Sequence, residues 1–232
     1  HKLSDLCFAI SIQILCSGTQ GKCSSVYILL KRYFSTELYK SIFLYLDDIV
    51  VPASSVPEMK ERLEKVFKIC REQGLKLSLK KSLIASETIT FVGFRLEHGG
   101  YRPLINKEEV LKQAVSPKNL AQLKTCLGML SFHRIYLRNF AARTARMRQL
   151  LKPQTRFEWT ADMESDFQGL LSELLAKPKL NYIRPELGFE LYTDASELGL
   201  GVCVYQRHED GKLYPIGFAS RAFNEHQLKY SI

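Results

Sequence analysis

Residues 41–51, Ser41-Ile42-Phe43-Leu44-Tyr45-Leu46-Asp47-Asp48-Ile49-Val50-Val51, set two apolar runs on either side of a polar pair. Apolar β-branched and aromatic residues suit strands and aspartate suits turns, so the stretch predicts a β-hairpin with Asp47 and Asp48 at its tip. Two carboxylates held at a tight turn and anchored by apolar strands can bind divalent metals. The plainer alternative is a pair of aspartates that close the turn by bonding their own backbone.

Downstream, Met59, Leu63, Val66, Phe67 and Cys70 recur at helical spacing over 57–73, with Lys, Glu and Arg on the other face and Gly74 placed to end the helix. Strands are expected at 75–79, 84–85, 88–96 and 101–104, the last two flanking the turn signal His98-Gly99-Gly100. The character then becomes helical. A short helix over 106–115 has Asn106 as N-cap and Glu108-Glu109 in its first turn. Leu120, Leu123, Leu127 and Leu130 mark a second helix reaching about Arg138, and 141–151 a third. A fourth, over 160–177, is capped by Thr160 and turns Phe167, Leu170, Leu171, Leu174 and Leu175 inward. Pro178 and Pro185 punctuate a linker before strands at 189–193, 199–206 and 212–220, the last two joined by Glu209-Asp210-Gly211. Upstream, residues 1–36 yield no clear period. The predicted class is α+β.

The 232 residues are 46% hydrophobic and 25% charged, as in ordinary globular domains. No apolar run approaches the roughly 20 residues of a membrane helix, and the apolar run 6–15 lacks the basic lead of a signal peptide. Six scattered cysteines suggest neither a zinc site nor a disulfide framework, which points to an intracellular, cytoplasmic or nuclear, setting. Within the net charge of +9, residues 110–157 hold ten Lys or Arg and no Asp or Glu. Such a block attracts a polyanion by counterion release, or else is a solvated helical face.

The motifs taken in order resemble the reverse transcriptase and RNase H region of gypsy-type LTR retrotransposon Pol polyproteins. Tyr45-Leu46-Asp47-Asp48 resembles the Tyr-x-Asp-Asp signature of the polymerase palm, and Gly74 through Lys81 the lysine-bearing segment after the palm helix. Phe91-Val92-Gly93-Phe94 is similar to the primer grip, 123–140 to the thumb, and Phe157-Glu158-Trp159-Thr160 to the connector. Tyr192-Thr193-Asp194-Ala195-Ser196 and Phe218-Ala219-Ser220-Arg221 resemble the first and third strands of the RNase H domain.

The resemblance implies five parts. Residues 1–36 are a degenerate upstream palm, 37–105 the C-terminal palm with the hairpin and primer grip, and 106–158 a basic helical thumb. Residues 159–187 form a connector helix and linker, and 188–232 the N-terminal part of an RNase H-like domain. It further implies catalytic Mg²⁺ ligands at Asp47 and Asp48 and, in the second domain, at Asp194. Nucleic-acid or nucleotide contacts fall to Tyr45, Lys80, Lys81, Phe91, Gly93, Arg134 and Arg138, with an RNA/DNA template-primer duplex and dNTPs as partners and no membrane. Each has a bland alternative: core packing for Tyr45, surface charge for the lysines, a strand kink for Gly93, a turn-closing role for Asp194. Trp159 is read as a connector core residue.

The palm pattern needs a third carboxylate on an earlier strand, for which only Asp5 and Glu37 are available. The chain starts at His1 and stops at Ile232, before the later RNase H acids of the family. The expectation is therefore a polyprotein fragment, inactive by itself, of an RNA-directed DNA polymerase with ribonuclease H activity. The alternatives are a non-catalytic nucleic-acid-binding remnant that uses the basic thumb face, and a decayed gene piece.

Overall fold

The computed structural model, which describes residues 8–14, 23–35, 38, 41–105, 115–197, 199–224 and 226–227, begins with a strand that the sequence reading passed over. In β1 (Phe8–Ile14) an apolar residue stands at every second position, Phe8, Ile10, Ile12 and Ile14. That period of two is a strand signature that reading 1–36 as one window obscured. Helix α1 (Cys23–Tyr33) follows, and then the predicted hairpin, β2 (Phe43–Tyr45) and β3 (Asp48–Ala53). The described residues divide into two units, His1–Arg102 and Pro103–Ile232.

In the first unit β3 pairs antiparallel with both β2 and β1, and β1 pairs with β4 (Leu77–Ser86), giving the order β2-β3-β1-β4. Alternation sorts β3 between two faces. Ile49, Val51 and Ala53 are buried with Leu30 and Phe34, at and just past the end of α1, and with Met59, Val66 and Cys70 of α2 (Val56–Glu72). Val50 points the other way and packs with Ile89, Phe43, Phe91 and Leu96.

The cap of α2 is built from its own sequence. Ser55 Oγ accepts from the Glu58 amide at 3.3 Å, and the Glu58 carboxylate accepts from the Ser54 amide at 2.9 Å. The buried stripe runs Met59, Arg62, Val66, Cys70, so the helix differs from its prediction at two places. Phe67 is 38% exposed. Arg62 is buried because its guanidinium donates to the Pro52 carbonyl and pairs with Glu58.

The strands predicted at 75–79 and 84–85 are one strand, β4. Its ladder with β1 slips: Ser11 faces Leu83 but Gln13 faces Ser78, so the intervening β4 residues, Lys80 and Lys81 among them, bulge out. The strand predicted over 88–96 is instead β5 (Ile89–Phe91) and β6 (Phe94–Glu97), with Phe91 opposite Phe94, followed by β7 (Gly100–Pro103). Val92 (φ 49°) and Gly93 (φ 78°) make the turn, and positive φ at both positions is the I′ hairpin pattern.

In the second unit α3 (Leu120–Phe132), α4 (Phe140–Gln149) and α5 (Ala161–Leu175) enclose a core that includes Leu123, Leu127, Leu130, Met147, Phe167, Leu170 and Leu174. Helix α3 stops six residues before Arg138. The chain then turns through a 3-10 segment, Arg134–Tyr136, that buries both Tyr136 and Leu137. Leu120, predicted inward, is 41% exposed, and Cys126 is buried with Leu123 and Leu127. The helix predicted over 106–115 falls largely outside the described residues.

Beyond the short strand β8 (Leu180–Asn181), strands β9 (Phe189–Ser196), β10 (Gly199–Arg207) and β11 (Leu213–Ala222) form an antiparallel sheet ordered β11-β10-β9. The linker is pinned to it by Gln206, which is fully buried. Its side-chain oxygen accepts from the Arg184 amide, and its side-chain nitrogen donates to the carbonyls of Arg184 and Leu187. Trp159 packs edge-on against Phe167 and donates to Glu164 Oε2 at 2.6 Å, as a core residue of the connector would.

Glu164 also accepts from Ser116 Oγ at 2.5 Å and Gln168 Nε2 at 2.9 Å. The Ser116 and Trp159 donors, in that order, hold its carboxyl below the ordinary value of 4.5. A lowered acid stabilises the fold above its unfolded value and loses that contribution as pH falls through the folded value. Glu164→Gln should therefore lower the stability of the second unit by about 1 kcal/mol at pH 7, with variant and wild type converging in acid. Denaturant melts between pH 7 and pH 3 check this.

Candidate functional site

The hairpin register settles where the two aspartates stand. Tyr45 is opposite Asp48, so Leu46 and Asp47 form a two-residue turn, with Leu46 at φ 53°. A positive φ at the first turn residue, normally given to glycine, is here held by leucine and strains the tip. Alternation puts Asp48 on the face of Val50, which carries the β5–β6 hairpin, and not on the helix-covered face of Ile49. Tyr45 shares that face through Phe43 and Asp48, and its half-exposed ring meets Phe91 edge-on, centroids 6.3 Å apart. Asp47, Asp48, Tyr45 and Phe91 are therefore gathered at one edge of the sheet. Gly93 sits one residue from Phe94 in the adjoining turn.

Electrostatics distinguish the two lysines. Partial burial pushes the Asp48 carboxyl above its ordinary value, the neighbouring Asp47 charge adds to this, and Lys81 opposes it. Lys81 thus acts on Asp48. Lys80, exposed on the same bulge, contributes no comparable effect on Asp48.

An all-oxygen donor pair of like charge suits a hard divalent cation, which relieves the repulsion between the carboxylates. The pair fits Mg²⁺ in kind but is short in number. Among the described residues no three or more His, Cys, Asp or Glu gather in a metal-holding group. On β1 the register partner of Asp48 is Gln13, a neutral amide. Asp5 and Glu37, the candidates for a third carboxylate, lie outside the described residues. The register position of Gln13 beside Asp48 is what sequence reasoning did not find, and the alternation of β1 is the signal for it.

In the second unit two members of the basic block, Arg143 and Arg146, are answered by acids of α5. Arg143 pairs with Glu173 at 2.5 Å and with Asp166 at 3.7 Å, and Arg146 pairs with Asp162 at 2.7 Å, all three acids on α5. Arg148 donates to Ser131 and Thr144 and lies over the Phe140 ring. Arg138 donates to the Tyr205 hydroxyl at 3.1 Å with its guanidinium over Phe218. Lys118, Lys124, Arg134 and Arg156 are exposed, and no acid among the described residues pairs with them. Asp194 lies within β9, not after its end, and its Oδ2 accepts from Asn139 Nδ2 at 3.2 Å.

Residues 2–96 match the family model described as reverse transcriptase (RNA-dependent DNA polymerase), and residues 159–232 match that of the RNase H-like domain found in reverse transcriptase. The retrovirus-related Pol polyprotein from transposon 412 of Drosophila melanogaster is 31% identical over 183 residues, covering 79% of this chain. The transposon Tf2-3 polyprotein of Schizosaccharomyces pombe is 26% identical over 191 residues, covering 82%. The chain spans 15% and 14% of these two curated relatives. Its fold is that of a foamy viral protease-reverse transcriptase solved with RNA/DNA hybrid, with TM-score 0.76 and 23% identity over 100% of this chain and 36% of that one. A form of that protein solved with double-stranded DNA gives TM-score 0.79 at 22% identity, over 99% of this chain and 46% of that one.

Neutralising one member of the pair should release the other. In metal-free buffer, Asp47→Asn is expected to lower the Asp48 pKa and Lys81→Met to raise it, while Lys80→Met leaves it nearly unchanged. Carboxyl-carbon NMR titration of Asp48 in the three variants reads this directly.

Proposed function

We infer that this chain, which belongs to the reverse transcriptase and RNase H-like region of LTR-retrotransposon Pol polyproteins, contributes the later palm, the thumb and the first RNase H strands of an RNA-directed DNA polymerase. The observation that carries the reading is the pair Asp47-Asp48 at a strained hairpin tip, on the sheet face shared with Tyr45 and Phe91. In the parent protein Asp47 and Asp48 would hold Mg²⁺, and Asp194 would serve the RNase H site. Bound there, two such ions would supply Lewis-acid activation of the primer 3′-hydroxyl and charge stabilisation of the leaving pyrophosphate. Lys81, which acts electrostatically on Asp48, or Lys80 next to it, would meet the phosphates of an incoming dNTP. Tyr45 and the Phe91-to-Phe94 hairpin would set the primer end against the carboxylates. Lys124 and Arg134 would meet duplex phosphates, while Arg138 is drawn partly to Tyr205 and Phe218.

Two carboxylates by themselves bind Mg²⁺ weakly, because the ion sheds water reluctantly and demands several anionic oxygens. This favours, for the chain alone, a nucleic-acid-binding role without turnover. No described helix is long and apolar enough to cross a membrane.

Fluorescence anisotropy with an RNA/DNA hybrid should give an affinity that falls steeply with salt. The slope should drop by about 1 to 2 in Lys124→Ala/Arg134→Ala and stay unchanged in Asp47→Asn. A flat salt response sinks the polyanion reading. Primer extension on an RNA template with Mg²⁺ is expected to yield no product. Extension by the wild type that Asp47→Asn abolishes would overturn the inactivity of the isolated chain.

A further inference from the structure

Exposure alternates sharply where α3 ends. Phe132 is 54% exposed and Arg134 is exposed, while His133 between them is only 8% exposed. His133 is the joint itself. Its amide donates to the Leu130 carbonyl at 3.1 Å and so closes α3. Its carbonyl accepts from the Tyr136 amide at 3.0 Å and so opens the 3-10 turn. Leu130, Tyr136 and Leu137, on either side of the joint, are almost fully buried.

The imidazole is not satisfied in this position. Its Nδ1 is buried and meets no hydrogen-bond partner among the described residues, and the side chain makes no capping bond. A neutral ring that carries its proton on Nε2 leaves Nδ1 only an idle acceptor. Protonation puts an N–H and a charge there, with no group to receive either. Burial accordingly holds the ring below its ordinary 6.5. The surrounding elements carry Arg134 and Tyr136 on the 3-10 turn, Arg138 after it, Arg148 on α4, Glu173 on α5 and Arg221 on β11. Helix α3 itself carries one charge, Lys124, nine residues back. Among the described residues none of these contributes to the shift, so no carboxylate is at hand to stabilise an imidazolium.

We propose that His133 is a positioning residue for Arg134, a neutral pivot that fixes the start of the 3-10 turn, and that its protonation releases the turn. The consequence for binding rests on Arg134 meeting duplex phosphates, as read above. To be hydrated, a charged imidazole must leave the core. That takes the His133 carbonyl from Tyr136, and with it the fixed attachment of the adjacent Arg134. Acid then weakens the hold on nucleic acid. Simple electrostatics demands the opposite, because one more cation on a basic surface tightens polyanion binding. The sign of the pH effect therefore separates the pivot from a plain surface charge.

The test is an NMR titration of the full 232-residue chain between pH 7 and pH 5, with affinity for an RNA/DNA hybrid measured in parallel. The His133 ring should titrate below 6.5, and the Tyr136 and Leu137 amide signals should move with the same midpoint. The salt slope of hybrid binding should shrink by about 1 from pH 7 to pH 5, the loss of one phosphate contact. Arg134→Ala should show the smaller slope already at pH 7 and lose nothing more in acid. His133→Phe, which cannot titrate, should bind more tightly in acid than at pH 7 as other groups protonate. A His133 midpoint at or above 6.5, or Tyr136 and Leu137 amides that ignore it, overturns the pivot. Wild-type binding that tightens in acid, or a further loss of slope in Arg134→Ala, overturns its action through Arg134. Salt-independent binding at pH 7 overturns the duplex reading of Arg134 and the binding consequence with it, and the Tyr136 and Leu137 signals then judge the pivot alone.

Discussion

The pairing of Tyr45 with Asp48 is the constraint from which the first unit follows. Strand side chains alternate with a period of two, so one register decides the face of every residue in β3. Ile49, Val51 and Ala53 go under the helices, and Asp48 and Val50 go to the side of the β5–β6 hairpin. A slip of one residue would bury Asp48 among Leu30, Met59 and Val66, where an ionised carboxylate has no partner. The apolar face therefore holds the carboxylate in place. It also forces a two-residue turn in which Leu46 adopts a backbone angle normally left to glycine, local strain that the flanking ladder sustains.

The same ladder defines the neighbourhood of the aspartates. β1, central between β3 and β4, brings Gln13 to the register position beside Asp48. The bulge between β1 and β4 turns what reads as two short strands into one strand with a lysine-bearing excursion, and from there Lys81 acts on Asp48. Polar chemistry at this edge thus comes from three strands, while the apolar contacts that fix it come from their opposite face and from the hairpin at Ile89 and Phe91.

In the second unit a count of charges along the chain and a count in space give different pictures. Ten basic residues without an acid overstate the positive charge of this surface while α5 is ignored. Once α4 and α5 pack, Asp162, Asp166 and Glu173 answer Arg143 and Arg146, and Arg138 and Arg148 turn to aromatic rings and hydroxyls. Lys118, Lys124, Arg134 and Arg156 remain exposed without an acid partner among the described residues, and Arg138 and Arg148 keep their charge at the surface.

Sequence by itself determined the hairpin with its aspartates, helix α2 with Gly74 after it, the turn at His98-Gly99 and the order of the later helices and strands, because these rest on periods of 2 and 3.6 and on turn and capping residues a few positions apart. It also carried the family, since the motifs from Tyr45 to Asp194 stand in order. β1 was legible as alternation but not recognised as such. Only the tertiary structure decided that Arg62 is buried and Phe67 exposed, that Gln13 is the register partner of Asp48, and that Lys81 acts on Asp48. It alone decided that Asn139 serves Asp194 instead of its own helix. Each of these depends on residues far apart in the chain: a carbonyl ten positions away for Arg62, a strand 35 positions away for Gln13, and a sheet 55 positions away for Asn139. Local preference cannot encode such partners, because burial and hydrogen bonding are satisfied by whatever the fold brings alongside.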